Sequence, residues 1–505
     1  MKQNLFNSIK LSKPKTNSFD LSHDVKLSAS MGNLTPILTL ECVPGDRFNL
    51  GCESLIRFAP LVAPVMHRMD VTMHYFFVPN RILWDNWEKF ITDANSGITY
   101  PNIAVYQSYT TEQKKFMDYM GVPPNPNSAV FPQINALPFA AYQCIYNEYY
   151  RDQNLISPVN YKLIDGIQTA GAFTNNFLTM RQRAWEHDYF TAALPFAQKG
   201  SAVDIPLGDV NIAYQKIQGR NDSGNPVDVQ GVTGQFDIDP SPTPLGFGLF
   251  APGQNVSVDP TTINDLRRAF RLQEWLEKNA RGGTRYIESI LSHFGVKSSD
   301  KRLQRPEYIT GVKSPVIISE VLNTTGQIGL DGLPQGNMAG HGISITSGKS
   351  GSYYCEEHGY IIGIMSILPK TAYQQGIPRT YLKRDTLDYY FPSFANIGEQ
   401  EVKSAELYAY TPDDEVTFGY VPRYSEYKYM PSRVAGDFRT TLDYWHLGRI
   451  FGTQPALNKT FIECKPSDTT RIFAVEDGTD PLYCHVYNKI QAVRPMPKFG
   501  NPSGL

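Results

Sequence analysis

The sequence predicts a mainly β chain, a sandwich or jelly roll interrupted by helical insertions, and three features predict it. Its 39 glycines and 36 prolines are spread along the whole length and punctuate short runs rich in β-branched and aromatic residues. The clearest runs change face at every residue, the period of a strand. Helix-like stretches stand between them irregularly, without the β–α alternation that a doubly wound parallel sheet requires.

The predicted strands are Ile37–Val43, Asp70–Val78, Pro315–Val321, Tyr360–Leu368, Arg471–Val475 and Tyr483–Val493. In the second, Val71, Met73, Tyr75 and Phe77 form a wholly apolar face, while Asp70, Thr72, His74 and Phe76 form a mixed one. Such a strand suits a sheet covered on both sides. Helices are predicted at Trp84–Asp93, Thr111–Tyr119, Pro138–Arg151 and Thr262–Ala280. The third opens on a proline, tolerated in a first turn. The last has Asp259, Thr261 and Thr262 as possible caps, an apolar stripe of Leu266, Ala269, Phe270, Leu272 and Leu276, and a stop at Gly282 and Gly283. Residues 200–260 and 326–351 read as long Gly- and Pro-rich loops.

At 505 residues the chain can bury a large core, and 41% hydrophobic, 12% aromatic and 19% charged residues describe a globular protein poor in charge. Such a surface tends to be covered by a partner. The net charge of −2 excludes polyanion binding by bulk electrostatics. No apolar core of a signal sequence follows Met1, and Tyr360–Leu368, the longest apolar stretch, is too short for a bilayer, so no membrane insertion is expected. Six scattered cysteines (Cys42, Cys52, Cys144, Cys355, Cys464, Cys484) without a CxxC pair read as free, mostly buried thiols of a reducing compartment, with no metal site and no cofactor.

Enzyme signals are weak. The run Gly342–Ser350 resembles a phosphate-binding loop, but Ile343 stands where that loop needs its first glycine. Glu186, His187 and Asp188 form an acid–base trio, with His341, His358 and His485 elsewhere, yet no nucleophile motif accompanies any of them. No catalytic residue is expected. Both ends are basic: Lys2, Lys10, Lys13 and Lys15 precede any acid, and Lys489, Arg494 and Lys498 follow Asp480 with none after it. Arms of this kind neutralise phosphates, and Phe6, Phe19 and Phe499 can stack on unpaired bases.

Local blocks carry a resemblance. They include Pro44–Leu50, Tyr75–Arg81 with Trp84–Phe90, Tyr146–Glu148 with Arg151–Leu155, His187–Phe190, Ala280–Tyr286, Ser292–Val296, Leu303–Tyr308, Tyr373–Gly376, Gly398–Gln400, Pro431–Arg433, Trp445–Leu447 and Ala492–Pro497. In this order, over nearly the whole length, they resemble the major capsid proteins of the Microviridae, closest to the gokushovirus-like branch. The resemblance implies a single eight-stranded antiparallel jelly roll over 1–505, with a basic arm (1–30), an inserted surface loop (200–260) and a tail (480–505). It implies a virion protein made in the bacterial cytoplasm, which self-assembles into a T=1 shell around circular single-stranded DNA. The implied partners are other copies, the genome, an internal scaffolding protein, a DNA pilot protein, a small basic DNA-binding protein and a host receptor.

Two sets of contact residues follow. Lys2, Lys10, Lys13, Lys15, Arg494 and Lys498 are expected to face the genome. Asn221, Asp222, Asn225, Phe247, Leu249 and Phe250 are expected in a threefold protrusion that carries host recognition. The competing reading is a carbohydrate-binding or carbohydrate-active jelly roll, which needs clustered Trp beside paired carboxylates. The five Trp residues (Trp84, Trp87, Trp185, Trp275, Trp445) are scattered instead.

Overall fold

Strict in–out alternation builds the first sheet. In the strand Arg47–Phe58, Phe48, Leu50, Cys52, Ile56 and Phe58 are buried while Arg47, Asn49, Glu53 and Arg57 are exposed. In the computed structural model, residues 15–93, 96–103, 109–123, 133–168, 176–201, 203, 210–212, 218–220, 226–228, 231–232, 235–236, 256–258, 262–322, 338–348, 351–411, 416–474 and 478–499 are described.

The strands that matter are β1 (Asn17–Asp20), β2 (His23–Ala29), β3 (Thr35–Cys42), β4 (Arg47–Phe58), β5 (Met69–Pro79), β6 (Glu307–Pro315), β7 (Ile317–Leu322), β8 (Met338–Ser347), β9 (Gly351–Tyr354), β10 (Gly359–Pro369), β11 (Glu399–Lys403), β12 (Thr417–Pro422) and β13 (Leu482–Arg494). The first sheet runs β1–β13–β4–β8–β7, with β2 also on β13 and β9 also on β4; the second runs β6–β5–β10–β3. All these pairings are antiparallel. The order β2–β13–β4–β8 facing β3–β10–β5–β6, with neighbours far apart in sequence, is jelly-roll connectivity.

Between the sheets lies a core to which both contribute: Phe48, Leu50, Ile56, Val486 and Ile490 from the first, Met73, Tyr75, Phe77, Ile361 and Ile367 from the second. Asn488 is fully buried among them. It accepts a hydrogen bond from Tyr75 Oη at 2.9 Å and donates to the Ile37 carbonyl at 2.9 Å, tying the sheets together through a satisfied polar group. The other face of the second sheet is covered too, because Phe76, Val78, Ile362 and Ile364 pack into a second core with helical residues such as Phe116, Phe139 and Tyr142.

The longer helices are α1 (Trp87–Thr92), α2 (Thr111–Tyr119), α3 (Leu137–Ile145), α4 (Ile263–Arg281) and α5 (Tyr286–Phe294). Thr110 and Gln113 close a reciprocal capping box on α2. After α3, which has a proline in its first turn, the chain widens into a π-type turn at Tyr146–Tyr150, so the helix expected to reach Arg151 changes form midway. A third core, with Phe190, Tyr373, Val402, Phe418 and Phe461, gathers the insertions around the β11–β12 pair.

Three expectations need correction. Pro315–Val321 is two strands, since the chain changes sheets at Val316, whose N–H bonds the Met69 carbonyl at 2.9 Å. Thr470–Ile472 is a 3-10 turn where a strand from Arg471 was expected, because Arg471 donates to the carbonyls of Asp443, His446 and Gly448 at 3.1, 2.9 and 2.6 Å. Met338–Ser347, inside an expected loop, is the strand β8. Its glycines fit the crowding: a Cβ at Gly342 would meet the Phe58 ring.

Residues Gln198–Arg281 form a second compact unit. Within it Val210–Ile212 pairs with Val256–Val258, Gln218–Arg220 with Pro226–Asp228, and Gly231–Val232 with Gln235–Phe236, all antiparallel. Thr262 caps α4, its Oγ1 accepting from the Asp265 N–H at 3.2 Å and donating to the Asp265 carboxylate at 2.6 Å.

Candidate functional site

The first and last described strands meet. β1 pairs with the end of β13, Asn17 opposite Arg494, and Asn17 Nδ2 donates to the Met496 carbonyl at 2.6 Å. The first and last described strands therefore lie side by side at one edge of the first sheet. Lys15 and Lys498 are both exposed there. Arg494 differs: its Nη2 lies 2.8 Å from Asp46 Oδ2, its Nε also donates to that carboxylate, and Nη2 reaches the Glu41 carbonyl at 3.0 Å. Asp46 is completely buried, so this bidentate pair locks the β3–β4 turn and occupies the guanidinium. Lys2, Lys10 and Lys13 lie outside the described residues, as do Asn221, Asp222, Asn225, Phe247, Leu249 and Phe250.

The acid–base trio is absorbed by structure. Lys313 Nζ stands 2.9 Å from Asp70 Oδ2 and 2.8 Å from Glu186 Oε1, and Lys370 bridges the same two carboxylates. Burial pushes both carboxyls up, but the hydrogen bonds from the two ammonium groups outweigh it and hold both below their ordinary range. Asp188 closes a turn, accepting from the Phe190 and Thr191 N–H groups and from Tyr373 Oη. His187 is exposed, His485 pairs with Asp24 across strands at 2.8 Å, and the His358 ring packs on Trp87. Ile343–Ser347 is laddered to β4, Ile343 opposite Arg57, and Gly342 pairs with Ile318 of β7, so the backbone of this run is taken up by the sheet and makes no phosphate cradle. Lys349 lies outside the described residues.

Among the described residues, no group of three His, Cys, Asp or Glu could hold a metal ion, and no helix is long and apolar enough to cross a membrane. All six cysteines are free and buried. Trp84 and Trp87 pack together in the second core, Trp84 Nε1 donating to Asp165 at 2.7 Å, which is a packing role.

A surface that sequence reasoning missed is apolar and aromatic. Tyr381, Leu387, Tyr389, Tyr390, Phe391, Tyr427, Tyr429 and Met430 are all exposed, Met430 at 94%. Several are contiguous: the Tyr390 ring lies 5.2 Å from Tyr424 and 6.2 Å from Tyr427, and Lys383 Nζ sits 3.9 Å over the Tyr427 ring. The only sequence signal was the density of tyrosines between residues 381 and 429. At the end of the first sheet, β7 adds exposed Ile317, Val321 and Leu322. Patches of this kind are characteristic of surfaces that another protein covers.

Comparison with known proteins agrees with that chemistry. Residues 7–503 match the model of the family described as capsid protein (F protein). The chain is 34% identical to capsid protein VP1 of Chlamydia phage 1, over 99% of this chain and 97% of the relative. It is 36% identical to capsid protein VP1 of Bdellovibrio phage phiMH2K, with 96% and 95% covered. Capsid protein VP1 of Spiroplasma virus 4 is 30% identical, with 95% and 94% covered.

Proposed function

The chain belongs to the phage capsid protein (F protein) family, and from that membership we propose that its copies close into a T=1 icosahedral shell around a circular single-stranded DNA genome. It is a structural virion protein and not an enzyme. The observation that carries the proposal is the family match from residue 7 to residue 503, which leaves almost none of the chain for another activity. The exposed aromatic surface between Tyr381 and Met430 supports it, because a capsid subunit must present large apolar contacts to its neighbours.

The paired first and last described strands are the proposed genome side, with Lys15 and Lys498 joined by Lys2, Lys10 and Lys13 of the preceding arm. The insertion at 200–260, with Asn221, Asp222, Asn225, Phe247, Leu249 and Phe250, is the proposed host-attachment protrusion at the threefold axes. An internal scaffolding protein, a DNA pilot protein and a small basic DNA-binding protein are the further partners of this reading. Nuclease treatment tests it: particles that enclose the genome leave circular single-stranded DNA intact until the shell is opened. Complete digestion in intact shells would contradict it.

A further inference from the structure

Helix α5 is inside out. Tyr286, Ile287, Ile290, Leu291 and Phe294 recur at helical spacing and share one face, while Glu288, Ser289, Ser292 and His293 share the other. A surface helix of a chain that stands alone turns the first set inward. Here Tyr286, Leu291 and Phe294 are 71%, 52% and 78% exposed, the four polar residues are half-buried, and no residue of the helix is fully buried. Val296, just past the helix, adds an apolar side chain that is 56% exposed.

The helix is nonetheless fixed at its start. Arg285 Nη2 donates to the Arg151 and Asn147 carbonyls at 3.0 and 3.4 Å, the Arg285 N–H donates to Glu288 Oε2 at 2.9 Å, and Thr284 Oγ1 donates to Asn154 Oδ1 at 2.8 Å. At the other end Gly295 takes the left-handed conformation (φ +68) and stops it. An apolar stripe on an anchored helix needs little ordering before it docks, so most of its burial remains as binding energy.

The chemistry of the stripe selects the partner. It holds no charge: Arg285 is paired with Glu288 at 3.1 Å and only Lys297 follows the stop, so phosphates find little there. Left in water on a finished particle, such a face would draw particles together. The chain is a capsid protein, and the surface that meets a subunit on every side of a shell is another copy of itself. We propose that the apolar face of α5 docks on a second copy of this chain, and that assembly buries Tyr286, Leu291 and Phe294. This rests on the shell reading above and adds to it a contact separate in sequence from the tyrosine-rich surface between Tyr381 and Met430.

Val296→Cys reads the contact directly, because all six native cysteines are buried and the new thiol alone is open to a maleimide. It should react freely in dissociated subunits and about tenfold or more slowly in shells assembled from the purified chain. Phe294→Glu should give a folded subunit, checked by its urea midpoint, that needs about tenfold higher concentration to assemble or does not assemble at all. Equal reactivity in subunits and shells, or normal assembly of Phe294→Glu, would overturn the contact and leave the shell reading standing. A thiol already protected in the subunit would show that the chain covers its own helix, and protection found only in virions from infected cells would give the face to another virion protein. Either result overturns the second copy. If the unaltered chain forms no particles, the shell reading falls and the contact falls with it.

Discussion

The Asp480 carboxylate, 7% exposed, accepts from Ser28 Oγ at 3.0 Å, Ser30 Oγ at 2.5 Å and Tyr119 Oη at 3.0 Å, and pairs with Lys115 Nζ at 2.8 Å. It ties α2 to the strand β2. Burial opposes its ionisation, but these bonds outweigh that and hold it below the ordinary value of 3.8. A depressed carboxyl stabilises the fold above its unfolded value and loses that effect as pH falls through the folded one. Asp480→Asn should therefore cost about 2 kcal/mol in urea unfolding at neutral pH, and the difference should shrink at pH values below 3.8. Histidines act at milder acidity. Burial first, with nearby cations adding to it, lowers His67 and His74 from 6.5 to about 4. The unfolded chain takes up those protons before the folded one does, so stability falls as pH drops from 6.5 towards 4. The urea midpoint should fall between neutral pH and about pH 5, and His74→Phe should make that fall visibly shallower. An unchanged slope would show that His74 does not titrate in this range. None of these partnerships was legible in sequence, since Asp480 and Lys115 are 365 positions apart.

At the scale of elements, legibility followed the density of apolar residues. β5 and β10 were readable because Val71, Met73, Tyr75 and Phe77, and Tyr360 to Leu368, leave few polar residues to confuse the period. β4 alternates strictly, but the buried Ser54 interrupts its apolar face and hid it. The strand expected from Arg471 shows the opposite error: Ile472 and Phe473 are buried and apolar, yet a side chain bound to three carbonyls sets the local backbone. The cap of α2 was implicit in Thr110 and Gln113, and Thr110→Ala should cost about 1 kcal/mol, measured by thermal unfolding. Arg494 could be read as basic, but its buried ion pair could not be foreseen, because Asp46 lies 448 residues away. Arg494→Ala should thus lower stability by about 3 kcal/mol while leaving the salt dependence of single-stranded DNA binding unchanged. Replacing Lys15 and Lys498 together should instead leave stability alone and reduce that log–log slope by roughly 1.4, at about 0.7 per phosphate contact. Equal slopes in the two proteins would place the phosphate contacts elsewhere.

Over the whole molecule, the family was legible because its blocks recur in order from Pro44 to Pro497, whereas the surfaces were not. Exposure depends on which side of an insertion faces the third core, and Tyr389, Tyr390 and Tyr427 come together only after folding. That patch should fail first when assembly is attacked: Tyr427→Glu with Met430→Glu should leave a folded subunit that no longer forms particles by sedimentation. Deleting residues 215–245 should have the reverse effect, with shells forming and attachment to the host lost in an adsorption assay. The central claim is that copies of this chain build a closed shell, and electron microscopy of the purified protein under assembly conditions measures that directly. The account predicts particles of one diameter whose averaged density has icosahedral T=1 symmetry. A field of monomers, open sheets or shells of another symmetry would contradict it.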